Sequence, residues 1–233
     1  MLFRSVDRER EIEAFQSQEY WTIDVELSKE TVNGKAPEKL VAHLVRYYGK
    51  DIALHSEADA RPHVETLERS TYVVSDVKTG QRKRKPSAPF TTSTLQQEAS
   101  RRLGYTAKRT MGAAQQLYEG IEVERGNVVG LITYMRTDRL NVSSQAQAEA
   151  RHYIAETFGK AYVPHNPPKY KTKAKGAQEA HEAIRPTSVE RTPASLKGML
   201  TSDQFRLYKL IWERFVASQM ESAVYDTVRV EIA

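Results

Sequence analysis

The chain contains no cysteine. That single absence excludes disulfides, thiolate zinc sites and cysteine nucleophiles. No apolar run approaches the length of a membrane span, and the opening MLFRSVDRERE lacks the apolar stretch of a secretory signal. A G-x-x-x-x-G-K-[ST] phosphate loop is also missing, so ATP is not expected to bind. No Asp-x-Asp pair occurs, and with it the usual acidic cluster for Mg²⁺ is missing. Neither a metal site nor a cofactor is therefore expected within this chain, and the composition reads as a soluble, cytoplasmic protein without a membrane partner. What is present suffices for a core: 233 residues, 39% of them hydrophobic, make one large or two ordinary domains. The net charge of +5 fits a polyanionic partner without requiring one.

The hydrophobic period changes along the chain. Ser5 to Phe15 is strongly charged and helical in pattern. Trp21, Ile23, Val25 and Leu27 then alternate with polar residues, as a half-buried strand does. Asn33-Gly34 signals a turn. Leu40 to Tyr48 reads as a second strand, Glu57 to Arg69 as a helix interrupted by Pro62, and Thr71 to Val77 as a further strand. Residues 80–90, GQRKRKPSAPF, form a break, read either as a solvated linker or as a phosphate contact through Arg82, Lys83, Arg84 and Lys85. Helices follow. Ser93 with Gln96, Ser144 with Gln147 and Thr201 with Gln204 read as capping boxes, Thr106 opens a further helix, and Gly104, Gly120 and Gly159 stand at helix ends. Met111, Ala114, Leu117 and Tyr118 are placed inward on the second of these helices; Tyr208, Ile211, Trp212 and Phe215 line the last. Residues 224–232 alternate again. A lone terminal strand leaves its backbone groups unpaired, so this stretch is expected to pair with a strand from the first eighty residues. The expected fold is α+β: a charged helical segment at 1–15, a discontinuous β-rich hinge domain from 16–88 and 222–233, and an inserted, mainly α-helical domain at 89–221.

Three segments carry chemistry. In Gly130-Leu131-Ile132-Thr133-Tyr134-Met135-Arg136-Thr137-Asp138 an apolar run delivers a tyrosine, with an arginine two residues on. A tyrosine hydroxyl is a poor nucleophile at its ordinary pKa of about 10. A nearby guanidinium favours the phenolate and grips phosphate with its fork. Tyr-x-Arg therefore suits attack on phosphorus, although a packed ring beside a surface charge gives the same pattern. In Gln178-Glu179-Ala180-His181-Glu182-Ala183-Ile184-Arg185-Pro186, Arg185 stands where a zinc protease needs a second histidine, so no metal reading survives. His181 and Arg185 can contact phosphate or assist proton transfer, or His181 can simply end a helix. Lys169, Lys171, Lys173 and Lys175 alternate with other residues around Tyr170. They form either a phosphate-binding loop with a ring for base stacking or a plain surface loop.

Together these segments resemble type IA DNA topoisomerases, of the bacterial topoisomerase I branch. Glu9-Arg10-Glu11-Ile12 with Phe15 is similar to the family's E-R-E-I-x-x-F segment, and Tyr20-Trp21 follows it. Pro89 to Gln96 is similar to its P-F-T-T-S-T-L-Q signature, Gly130 to Asp138 to G-L-I-T-Y-M-R-T-D, and His181 to Pro186 to H-E-A-I-R-P. Met135 favours the topoisomerase I branch. Residues 30–80 match only loosely, and Arg139 replaces the family's usual serine. The resemblance implies that Tyr134 attacks a DNA phosphodiester and holds the 5′ phosphate, that Arg136 positions the scissile phosphate, and that His181 binds a neighbouring phosphate or assists the proton path. It implies DNA contacts from Arg185, Lys169, Lys171, Lys173 and Arg82 to Lys85, single-stranded DNA as partner, and a place near the nucleoid. It also implies a preceding acidic domain, called TOPRIM, that carries the Mg²⁺ carboxylates; a fragment without it is expected to be inactive alone. A non-catalytic module binding single-stranded DNA, with Tyr134 stacking or packing, is the reading from another class. A nuclease is a third, which the missing acidic cluster disfavours.

Overall fold

The computed structural model describes residues 2–28, 39–124, 126–170 and 181–233, with side chains from residue 6 onward and Glu124 excepted. The Asn33-Gly34 turn, Lys171, Lys173, Lys175 and residues 178–180 lie outside the described residues. The fold is α+β. Two compact units divide the chain, residues 1–79 with 228–233, and residues 80–227. No helix among the described residues is long and apolar enough to cross a membrane.

The first unit is built from short elements. Helix α1 (Leu2–Glu13) precedes a hairpin of β1 (Asp24–Ser28) and β2 (Lys39–His43), in register from Asp24 opposite His43 to Ser28 opposite Lys39. The expected strand from Leu40 to Tyr48 is broken: β3 (Arg46–Tyr47) turns tightly into β4 (Lys50–Asp51) through Tyr48 and Gly49, both at positive φ. Helix α2 (Glu57–Glu68) is capped by Ser56, whose hydroxyl accepts from the Asp59 N–H, and tolerates Pro62 inside it. Its core is small: Ile23, Leu54 and Ala60 are buried, with Leu44, Ile52 and Leu67 against them.

Strand β5 (Val74–Arg84) pairs with β8 (Ala223–Ile232), and Val73 and Ala233 exchange backbone hydrogen bonds at 2.8 and 2.9 Å. The alternation of 224–232 does mark a strand that pairs far back in sequence. It does not mark a buried face, since residues 223–230 are exposed on both sides. The linker reading of 80–84 is corrected as well. Gly80 to Arg84 continue β5, and Gln81 donates from Nε2 to Asp226 Oδ1 at 3.0 Å. A strand that is wet on both faces needs no apolar residues, so its basic run resembled a linker.

The second unit holds the main core. Helices α3 (Thr92–Leu103), α4 (Ala107–Glu119) and α6 (Ser202–Ser218) pack on one another, joined by the β6 (Ile121–Glu124) and β7 (Asn127–Val129) hairpin, α5 (Ser144–Thr157) and a 3₁₀ turn at Lys160–Tyr162. Leu95, Leu117, Ile154, Leu207, Ile211 and Phe215 are fully buried at helical spacing. Asp203 at the start of α6 accepts from Arg109 Nε and Nη2 at 2.6 and 2.7 Å, and from the Tyr105 hydroxyl at 3.1 Å. The Arg109 hydrogen bond holds the Asp203 carboxyl below the usual carboxylate range. Its stabilising effect is complete above the ordinary carboxylate pKa and is lost as pH falls through the lowered one.

The caps show two shifts of register. Thr201 and Gln204 form the expected box on α6. On α3, however, the box is Thr91 with Thr94, not Ser93 with Gln96: the Thr91 N–H donates to Thr94 Oγ1 at 2.9 Å. Ser143, not Ser144, caps α5. Moving the α3 cap two residues back makes Thr92 and Ser93 the first residues of the helix.

Candidate active site

Three of the family-like segments, 89–96, 130–138 and 181–186, meet in the second unit through backbone hydrogen bonds. Residues 183–187 lie between 89–92 and 130–133. Ile184 N–H donates to the Phe90 carbonyl at 2.8 Å, Thr133 N–H to the Arg185 carbonyl at 2.9 Å, and Thr187 N–H to the Leu131 carbonyl at 3.0 Å. Antiparallel bridges join Phe90 to Ile184 and Ile132 to Pro186. The described part of the histidine segment, 181–186, is therefore a bridging segment and not the end of a helix. Leu131, Ile132, Ala183 and Ile184 are buried beneath it and anchor the backbone.

Thr92 ties the tyrosine segment to α3. Its N–H donates to the Thr137 carbonyl at 2.9 Å, its hydroxyl donates to the Met135 carbonyl at 2.8 Å, and that oxygen accepts from the Thr137 N–H at 2.8 Å. Exposure then alternates: Met135 and Thr137 are buried, while Tyr134, Arg136 and Asp138 are exposed. The Tyr-x-Arg spacing thus turns both side chains outward. Thr92→Val keeps the shape but strands the N–H of buried Thr137, at a cost of about 1–3 kcal/mol. A denaturant midpoint that falls for Thr92→Val and holds for Thr92→Ser is expected; equal midpoints contradict the tie.

A cleft of about 430 Å³ opens here, lined by Thr92, Ser93, Arg136, Thr137, Asp138 and His181. The Tyr134 ring lies 5.8 Å from that of His181, tilted by 32°, and 5.4 Å from the Tyr118 ring at 68°. The cleft meets the first turn of α3, where the Thr92 and Thr94 N–H groups are already taken by the Thr137 carbonyl and Thr91 Oγ1, and the helix dipole still favours an anion. Arg136 is exposed and makes no ion pair among the described residues. Arg139 lies with Nε 3.4 Å from Asp138 Oδ1, which offsets a negative charge beside the cleft. Among the described residues no group of three or more His, Asp or Glu is placed to hold a metal ion.

The other expected contacts separate. Arg185 is largely buried; its Nε donates to Glu182 Oε2 at 2.5 Å and its Nη1 to the Pro186 carbonyl at 3.0 Å. Its fork is thus occupied within the chain. Lys169 is exposed, and Lys171 and Lys173 lie outside the described residues. Arg82, Lys83, Arg84 and Lys85 are exposed without an acidic partner among the described residues, and none of them lines the cleft. Tyr170 is not a free stacking ring: its hydroxyl donates to the Ser218 carbonyl at 2.7 Å, and burial raises its pKa. Thr92, Ser93 and Thr137 were missed as lining residues, because their role depends on the cap position.

The charge is unevenly shared. Of 35 lysines and arginines, 23 fall in the second unit with 14 of the 30 acidic residues, which leaves that unit at +9 and the first at −4. An open cleft, an exposed tyrosine and a basic unit occur together. Residues 2–233 match the family described as DNA topoisomerase. Full-length topoisomerase I from Thermotoga maritima is similar at 37% identity with a TM-score of 0.73, over 96% of this chain and 33% of that one. The chain thus spans about a third of that protein's length. With the match running through all three motifs that build the cleft, the chain belongs to the DNA topoisomerase family.

Proposed function

We propose that this chain is the tyrosine-bearing part of a type IA DNA topoisomerase of the bacterial topoisomerase I kind. It cleaves and rejoins one strand of cytoplasmic, nucleoid DNA and relaxes negative supercoils without ATP. The observation that carries the reading is the outward presentation of Tyr134 and Arg136 beside His181 and the first turn of α3. In the forward step Tyr134 Oη bonds to phosphorus and loses its proton, the P–O3′ bond breaks, and the 3′ oxygen takes up a proton. The 5′ phosphate stays on the tyrosine, and reversal reseals the strand, so the bond energy is kept and no nucleotide is consumed. Arg136 binds the phosphate and stabilises its developing charge. His181 contacts a neighbouring phosphate or assists the proton path. The residues described here do not fit Mg²⁺, so no step runs through it; its carboxylates belong in this reading to an acidic domain of the same polypeptide. The chain alone is accordingly not expected to relax DNA. A non-catalytic module binding single strands is the second reading, which the exposed Tyr118, Tyr134 and His181 rings favour as a stacking surface.

Both readings require phosphate contacts, and a salt series tests them. Each phosphate engaged on a single strand adds about 0.7 to the slope of log affinity against log salt. Arg136 and Lys169 alone give about 1.4 by that rule, and Arg82 to Lys85 steepen it further. Binding of a short oligonucleotide to the chain is expected to weaken at least that steeply. A flat response contradicts the electrostatic account.

A further inference from the structure

Tyr118 stands one residue before the end of α4, placed by helical spacing on its inward face beside Leu117. Leu117 is fully buried, but Tyr118 is 42% exposed and its ring meets Tyr134 edge-on. The meeting is fixed at the backbone. Leu131 N–H donates to the Leu117 carbonyl at 2.7 Å. A Cβ on Gly130 would lie 2.7 Å from the Tyr118 carbonyl oxygen, so only glycine lets the two segments approach this closely. The end of α4 is thus docked three to four residues before Tyr134. An exposed tyrosine otherwise changes rotamer on the picosecond to nanosecond scale. Here the ring has two ring neighbours, Tyr118 at 5.4 Å and His181 at 5.8 Å between centroids.

We propose that Tyr118 is a positioning residue, whose ring holds the Tyr134 ring in the rotamer that presents its hydroxyl to the scissile phosphate. The inference rests on Tyr134 as nucleophile and adds a residue outside the three motifs. Its contribution comes from the ring, because the Tyr118 hydroxyl has no hydrogen-bond partner among the described residues. A nucleophile displaced by about an ångström loses on the order of a hundredfold in rate, so a partial loss of restraint is expected to cost about tenfold.

The test is single-turnover covalent trapping of a saturating single-stranded oligonucleotide by the longer protein that carries this chain. Tyr118→Phe is expected within about twofold of wild type, since edge-to-face packing survives. Tyr118→Leu is expected to be about tenfold slower, with the half-saturating concentration and melting temperature unchanged. Gly130→Ala is expected to slow trapping as well, although it alters neither ring. Leucine at the wild-type rate overturns the proposal, and so does phenylalanine as slow as leucine, since the hydroxyl would then be the active part. A wild-type protein that traps no DNA on Tyr134 overturns the functional reading instead. In that case the placement is still read by ring resonances of labelled Tyr134 in the chain, which Tyr118→Leu is expected to shift. Unshifted resonances overturn the positioning.

Discussion

Replacing Tyr134 by phenylalanine in the longer protein is expected to abolish both relaxation of supercoiled DNA and covalent trapping of a cleaved strand. The substitution removes one oxygen and little else. Phenylalanine keeps the ring that neighbours those of Tyr118 and His181, and it leaves the Thr92 hydrogen bonds to Met135 and Thr137 untouched. Folding and oligonucleotide affinity are therefore expected to stay within about twofold, because the exposed hydroxyl supports neither. The loss should fall entirely on bond-making. A covalent intermediate needs a nucleophilic oxygen, and no rearrangement of the ring supplies one. Relaxation assays with gel detection of the adduct read this directly. A phenylalanine variant that still traps DNA contradicts the assignment of the nucleophile.

Arg136→Ala is the second large expected effect, and it has a different profile. The tyrosine hydroxyl remains, so cleavage slows without disappearing. Loss of one preorganised donor to a developing oxyanion costs about 10² to 10³ in rate. Affinity should fall much less, because the proposed phosphate contacts of Lys169 and the exposed residues 82–85 are left in place. Arg136→Lys is expected to recover binding better than rate, since an ammonium restores the charge but not the two-pronged geometry. Arg185→Ala provides the contrast. Its guanidinium already serves Glu182 and the Pro186 carbonyl, so its loss should lower the unfolding midpoint of the chain more than its affinity. Single-turnover rates at saturating DNA, set beside binding constants, separate the two behaviours. Equal losses of rate and affinity for Arg136→Ala contradict its role as a phosphate clamp.

Period and capping made most of the second unit legible in the sequence. Tyr208, Ile211, Trp212 and Phe215 sit on the buried side of α6, and Thr201 with Gln204 starts it. Local rules failed where a tertiary contact decides. Thr91 outcompetes Ser93 as the α3 cap, because Thr92 is held in the first turn by residues 135–137, more than forty positions away. No local pattern carries that information. The run Arg82 to Arg84 has linker composition, yet it pairs along β8, because a ribbon wet on both faces carries no hydrophobic alternation. Tyr118 has the spacing of a core residue, but the docking of Gly130 against the end of α4 turns it toward Tyr134. The motif residues of the site were visible singly, while their assembly rests on bonds between 89–92, 130–138 and 183–187 that no spacing rule joins.

Tyr134 is expected to form the covalent link to DNA. The most direct measurement traps a cleaved single-stranded oligonucleotide on the longer protein, digests both partners, and locates the nucleotide on the peptides by mass spectrometry. A 5′-phosphate linkage is expected on the peptide that contains Tyr134 and none on the peptide that contains Tyr118, although the two rings are 5.4 Å apart. A link to Tyr118, to any other residue, or through a 3′ phosphate contradicts it.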